Sequence, residues 1–320
     1  MNTVIHRLHW EEKDGNSLYI KREDLLPFSM GGNKVRIAEA LLADMEGKGC
    51  DSMIIYGSVH SNLCRVLSNF CYHRKIECTM ICSHEEDEGQ IATNNESLIR
   101  WTGTEIVHCA KAEIAQTVDA VMEKICRKGK KPYYIYGSRL GTGNEGTLAS
   151  AYADAYKEIT AYEKKMGWEF DYLFCPSGTG ATQSGLICGH LLAGDHKKIM
   201  GVMISSRETE RAYRVVADSV QAYFEKCGRS LPEEFEQEIH LLDQYRQEGY
   251  GKYDERIISC LEQAYLQDGI PLDPVYTAKA FWGMKEYLRE KPIKNSRILF
   301  LHTGGTPLFY DFLADREGQR

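Results

Sequence analysis

The chain of 320 residues has no apolar stretch approaching the ~18 residues that cross a bilayer, so no membrane span is expected. It also has no run of five or more basic residues. A net charge of −7 and a pI near 5.9 argue against an electrostatic nucleic-acid binder. The opening stretch MNTVIHRLHWEEKDG lacks the apolar core of a secretory signal and soon turns acidic, which makes the cytoplasm the expected location. Eleven cysteines are scattered from Cys50 to Cys260 without a C-x-x-C pair, and the ten histidines form no H-E-x-x-H. Zinc sites pair their ligands at short spacing, and disulfide scaffolds are short secreted chains, so reduced, mostly buried thiols and no metal are expected.

What is present is the make-up of an ordinary globular protein, with 43% hydrophobic and 27% charged residues. Strand-like runs at 52–56, 78–82, 105–108, 133–136, 172–175, 200–204 and 298–301 alternate with helical patterns at 62–73, 91–101, 112–127, 146–166, 183–193 and 208–227. Such alternation predicts βαβ units, and therefore an α/β fold of mostly parallel, twisted sheets with helices on both faces. Residues 228–234 read as a connector.

The chemistry concentrates in short segments at strand ends. Met30-Gly31-Gly32-Asn33-Lys34 sets a lysine after a Gly-Gly turn, at the mouth of a helix whose apolar residues recur at Val35, Ala38, Leu41, Leu42 and Met45. The positive end of a helix disfavours an ammonium, and a neutral lysine is the form that attacks an aldehyde. In Tyr56-Gly57-Ser58-Val59-His60-Ser61-Asn62, Ser61 suits a helix N-cap, while the amides beside it suit a carboxylate. The loop Ser177-Gly178-Thr179-Gly180-Ala181-Thr182 offers hydroxyls and amides at a helix start, as a phosphate monoester requires. It fails the dinucleotide fingerprint because position 183 is Gln, which opposes a nucleotide-dependent oxidoreductase. Near the C-terminus, Leu272–Lys279 opens an amphipathic helix containing Tyr276. Arg297–Leu301 runs into a second glycine turn, His302-Thr303-Gly304-Gly305. Tyr250 lies in the loop Glu248-Gly249-Tyr250-Gly251.

Taken in order from Lys21-Arg22-Glu23-Asp24 to His302–Gly305, these segments span nearly the whole chain. Together they resemble the D-cysteine desulfhydrase and 1-aminocyclopropane-1-carboxylate deaminase family of pyridoxal-phosphate enzymes, a branch of the tryptophan-synthase-β-like fold (fold type II). The resemblance implies that Lys34 holds pyridoxal 5'-phosphate covalently and moves the Cα proton. It further implies that Asn62 bonds the cofactor's phenolic oxygen, that Ser61 stands at the substrate carboxylate and takes a catalytic part in acid–base or nucleophilic steps, and that Ser177, Gly178, Thr179, Gly180, Ala181 and Thr182 cup the phosphate. Tyr250 and Tyr276 become candidates for proton transfer, and Thr303 meets the pyridine nitrogen. Ser58, His60, Ser61, Asn62 and Tyr276 would line the substrate.

Departures from the family pattern point toward elimination. Its Gln-Ser-Asn-His or Gln-Ser-Asn-Gln loop is His60-Ser61-Asn62-Leu63 here, and Thr277 follows Tyr276 where the deaminase branch carries glutamate. The stretch 136–141 lacks the Pro-Gly-Gly common in relatives. The expected reaction is α,β-elimination from a small amino acid, releasing pyruvate, ammonia and the leaving group. β-Replacement, cyclopropane ring opening and a catalytically idle cofactor-binding protein are the alternatives. The expected architecture is a large domain of residues 1–46 and 156–320 and an inserted domain of residues 47–155, with the cofactor bridging them. A homodimer is implied by the family alone.

Overall fold

A computed structural model describes residues 1–10, 14–84 and 93–318. The described chain forms two compact units, Met1–Asn33 with Leu148–Arg320, and Lys34–Thr147. No helix among the described residues is long and apolar enough to cross a membrane.

The larger unit is built on a six-stranded sheet. Its strands are β1 (Ile5–Arg7), β2 (Ser17–Arg22), β7 (Tyr172–Ser177), β8 (Lys198–Met203), β9 (His240–Leu242) and β10 (Arg297–His302), in the order β1-β2-β10-β7-β8-β9. Only the β1–β2 pair is antiparallel. Strands β7, β8 and β10 are buried along almost their whole length, as parallel strands covered on both faces must be. This unit also carries α6 (Ala181–Ala193), α7 (Thr209–Cys227), α8 (Glu255–Asp268), α9 (Thr277–Glu290), α10 (Thr306–Gly318) and, from Leu148 on, α5 (Glu145–Met166). Its core gathers Ile20, Phe174, Val202, Phe281, Ile298 and Phe300. Helices α5 and α6 lie close together: a Cβ on Gly185 would come 2.3 Å from the Ala149 carbonyl oxygen. That contact fixes α6, and with it the loop at the N-terminus of α6.

The smaller unit carries a four-stranded parallel sheet in the order β5-β4-β3-β6, made of β3 (Ser52–Tyr56), β4 (Glu77–His84), β5 (Glu105–Ala110) and β6 (Pro132–Tyr134). Its helices are α1 (Asn33–Gly47, whose first residue belongs to the larger unit), α2 (Asn62–Arg74), α3 (Asn94–Trp101) and α4 (Ile114–Arg127). Ile54, Ile81, Val118, Val121, Ile125 and Tyr134 form its core.

The chain is thus the expected mixture of parallel sheets and helices, with local shifts. The helix expected from Ile91 is observed from Asn94, and its first two expected residues lie outside the described ones. The pattern expected from Ala112 begins as a single 3-10 turn, Lys111–Glu113, before α4. Strand β2 escapes the sequence pattern because it ends in Lys21 and Arg22. Lys21 is nonetheless fully buried, its Nζ 2.6 Å from both Thr3 Oγ1 and Glu158 Oε2.

Candidate active site

Strand β7 delivers the Ser177–Thr182 loop to the start of α6. Gly180 takes φ +87°, a left-handed conformation natural to glycine, and caps α6 without any side-chain hydrogen bond. The first-turn amides of α6 are therefore not claimed by a capping side chain, and the positive end of the helix faces the loop. Thr182 is buried and its Oγ1 accepts a 2.9 Å bond from Asn33 Nδ2, so its own proton remains to be donated. These groups suit the phosphate of pyridoxal phosphate: amides, a buried hydroxyl donor and a glycine where a side chain would be strained. Gln183, where a dinucleotide loop would need glycine, turns its Nε2 to the His240 carbonyl at 2.8 Å.

The second glycine turn follows β10. The Thr303 carbonyl accepts the Asn33 backbone N–H at 2.9 Å, so Asn33 ties the phosphate-type loop to the Thr303 turn, one bond through its side chain and one through its backbone. His302 braces this turn in a defined tautomer. Nδ1 accepts from Gly304 N at 3.2 Å, which leaves Nε2–H to donate to the Pro271 carbonyl at 3.0 Å. Burial holds the His302 pKa below its usual value, consistent with that neutral ring. Lys34 follows Asn33 directly and lies in the first turn of α1, half-buried. Burial lowers its pKa from 10.5 to about 8, so a substantial fraction is neutral in mildly alkaline solution. The helix start acts in the same direction.

Tyr276 and Tyr250 meet in the larger unit. Tyr276 Oη donates to Tyr250 Oη at 3.1 Å, with the rings edge to face at 5.7 Å. A Cβ placed on Gly178 would lie 4.0 Å from Tyr276 Cε1, so the tyrosine ring stands beside the Ser177–Thr182 loop. Two buried residues that sequence reasoning left without a role hold this pair. Asp273 Oδ1 accepts from Val275 N (3.0 Å) and Tyr276 N (2.8 Å), while Oδ2 accepts from Thr277 N (3.1 Å) and Thr277 Oγ1 (2.7 Å). Burial raises its pKa to about 6 against these four donors. Lys279 Nζ donates to the carbonyls of Gly249 (2.6 Å) and Arg246 (3.2 Å), anchoring the loop that carries Tyr250. An aspartate followed by proline just ahead of a helix is a turn-forming signal, so Asp273 was open to detection; the carbonyl partners of Lys279 were not. Asp273→Ala would leave four donors unpaired, and we expect it to cost about 3 kcal/mol in denaturant unfolding. A loss below about 1 kcal/mol would show that water replaces the carboxylate.

In the smaller unit, β3 ends at Tyr56 and Ser61 caps α2, its Oγ accepting from Cys64 N at 3.3 Å. Ser58, His60, Ser61 and Asn62 are half-buried along this turn, whereas Leu63 is buried. His60 Nδ1 lies 3.2 Å from Thr93 Oγ1, and Asn95 Nδ2 donates to Asn62 Oδ1 at 3.0 Å. Neither Thr93 nor Asn95 stood out in the sequence. The spelling Gly141-x-Gly143-x-x-Gly146 matches the dinucleotide pattern by spacing. However, the Gly143 N–H is taken by the Glu145 carboxylate at 2.7 Å, which places an anion where a phosphate would bind.

Comparison with known proteins agrees with this chemistry. A family model described as pyridoxal-phosphate dependent enzyme matches residues 2–304. A Pyrococcus abyssi protein, provisionally named 1-aminocyclopropane-1-carboxylate deaminase, is 31% identical over 301 residues, covering 93% of this chain and 87% of its own length. A Klebsiella pneumoniae D-cysteine desulfhydrase is 29% identical over 303 residues, covering 93% of this chain and 89% of its own. Among solved structures, one described as the ACC deaminase homologue superposes with a TM-score of 0.84 at 27% identity, covering 98% of this chain and 94% of that one.

Proposed function

The chain belongs to the pyridoxal-phosphate dependent enzyme family, and from that premise we propose that it is a lyase removing a β leaving group from a small amino acid, as D-cysteine desulfhydrases are named for doing. The observation that carries the assignment is the placement of Lys34. It follows the residue that joins the phosphate-type loop to the Thr303 turn, and its pKa is lowered to about 8. When bound, the cofactor supplies an aldehyde carbon and an electron-withdrawing ring that acidifies the Cα–H of an attached amino acid. Lys34 would hold the cofactor, and its free Nζ would take the Cα proton of the substrate. The loop 177–182 would grip the phosphate, Asn62 would donate to the phenolic oxygen, and Thr303 would meet the ring nitrogen as a neutral partner. Ser61 and Ser58 take the substrate carboxylate, and the Tyr250–Tyr276 pair moves a proton toward the leaving group.

One alternative, β-replacement, shares every step up to loss of the β substituent. The other, ring opening of a cyclopropane acid such as the one in the Pyrococcus relative's name, starts from a Cα that bears no proton and so departs from it at the first step. Thr277 favours elimination over ring opening, since its hydroxyl is spent on Asp273 and no carboxylate follows Tyr276. The enzyme acts in the cytoplasm, a reading supported by eleven free cysteines, and works as a homodimer, a reading that rests on the family.

A panel of D- and L-amino acids with β leaving groups, assayed for pyruvate and ammonia, tests the reaction. Ammonia from D-cysteine or a related β-substituted acid is expected. A cofactor-loaded protein that yields no keto acid from any of them, and no new β-substituted amino acid when a thiol is added, would refute elimination and replacement together. His60→Gln restores the family residue, and we expect it to raise kcat/KM for D-cysteine by about fivefold relative to bulkier β-substituted acids. An unchanged ratio would show that His60 only braces Thr93.

A further inference from the structure

Asn95, the second residue of α3, is fully buried and reaches the turn before α2 with both hydrogens of its side-chain amide. One goes to the His60 carbonyl at 2.8 Å and the other to Asn62 Oδ1 at 3.0 Å. The order of these bonds is forced. A backbone carbonyl can only accept, so the end of the Asn95 amide at His60 must be Nδ2. Because that same Nδ2 faces Asn62, the near end of the Asn62 amide must be its oxygen. The two ends of a carboxamide have almost the same shape, and without such a partner either could point outward.

We propose that Asn95 is a positioning residue for the cofactor: it fixes the Asn62 amide so that Nδ2, and not Oδ1, is presented away from α3 as a donor. This rests on the reading that Asn62 donates to the phenolic oxygen of pyridoxal phosphate. An outward Oδ1 would set an acceptor against that oxygen. Two further observations separate this role from simple packing. Asn95 Oδ1 is buried and has no hydrogen-bond partner among the described residues, so the side chain is held for its donors alone. The neighbouring Thr93 holds the same turn a second time through His60 Nδ1 at 3.2 Å while capping α3 through Glu96 N at 3.3 Å. The start of α3 thus grips the His60–Asn62 turn at separate points, which locks the rotamer that Asn95 then orients.

The test uses cofactor-reconstituted protein and reads binding and spectrum rather than turnover. Asn62→Ala should raise the dissociation constant for pyridoxal phosphate about tenfold in equilibrium dialysis and shift the visible absorption maximum. Asn95→Asp, which offers acceptors where donors stood, should reproduce both effects. The double variant should bind no more weakly than Asn62→Ala alone. Should Asn95→Asp fail to give a cooperative thermal transition, Asn95→Ser removes the reach to Asn62 without adding charge and is read in the same way. Wild-type binding and spectrum in both Asn95 variants, while Asn62→Ala is altered, would overturn the positioning role. An unaltered Asn62→Ala would overturn the reading of Asn62 itself and this proposal with it.

Discussion

Lys34→Ala is expected to abolish turnover by at least about a thousandfold, and with it the fixing of cofactor to protein by borohydride. No other described residue combines the features that the role needs. Lys34 follows Asn33, whose backbone and side chain tie together the Thr303 turn and Thr182, and burial lowers its pKa to about 8. Lys279 shares the depressed pKa but spends its hydrogens on the carbonyls of Gly249 and Arg246. Partial recovery of Lys34→Ala by a small primary amine would identify the lost group as a base, because a soluble amine can move a proton without being part of the chain. Full turnover in the variant would end the assignment.

The same substitution should act in the opposite direction on the cofactor-free protein. A lysine whose folded pKa is about 8 against 10.5 unfolded destabilises the fold while both states are protonated, below pH 8. Between pH 8 and 10.5 the unfolded state binds more protons, so wild-type stability rises through that window and the penalty disappears above it. The shift corresponds to at most about 3 kcal/mol, and partial solvent access to Lys34 reduces the expected value to about 1–2 kcal/mol. Apo Lys34→Ala should therefore unfold at a higher temperature than apo wild type at pH 7, with the gap closing by pH 10.5. A gap independent of pH would show that the gain arises from packing rather than from the ammonium.

These residues differ in how far the sequence exposes them. Lys34, Ser61 and the 177–182 loop are legible because each stands at a turn whose glycines, hydroxyls and adjoining apolar run are local. The buried parallel strands β3, β7 and β10 are legible for a related reason, since they must be apolar throughout. Where a residue's environment comes from a distant segment, the pattern misleads. Lys21 reads as a solvent-facing residue yet is buried by Glu158, 137 positions away. Sequence pattern likewise assigns no strand to Ile5–Arg7 or His240–Leu242, each only three residues long, and no helix to Glu255–Asp268 or Thr306–Gly318. Asn95 lies 33 positions from Asn62, and one more asparagine in a polar helix start carries no mark of its partner. The chemistry was visible where it is local, and the residues that orient it were not.

A large effect is also expected from Gly304→Ala, in the turn whose Thr303 carbonyl binds Asn33, the residue before Lys34. Gly304 has φ +97°, and a Cβ there would stand 2.5 Å from Gly32 Cα, closer than any relaxed side chain allows. The obstruction is backbone, so no rotamer change relieves it. Gly32 cannot simply retreat: its N–H donates to the Glu23 carbonyl at 2.9 Å, and the next residue, Asn33, donates to Thr303 at 2.9 Å. Left-handed backbone strain and overpacking each cost about 1–3 kcal/mol, and together we expect about 4 kcal/mol lost in denaturant unfolding. Because the displaced strand of contacts runs straight into Asn33 and Lys34, cofactor affinity should fall by at least about tenfold, more than stability alone would dictate, in dialysis under conditions where the variant remains folded. Gly194→Ala is the control. Gly194 also has a positive φ (+65°), but its Cβ would meet nothing within 4 Å. It should lose only about 1–2 kcal/mol and bind cofactor as wild type does. If Gly304→Ala matches Gly194→Ala in both measurements, the two turns can part without cost and the close approach of Gly32 and Gly304 does not set the position of Lys34.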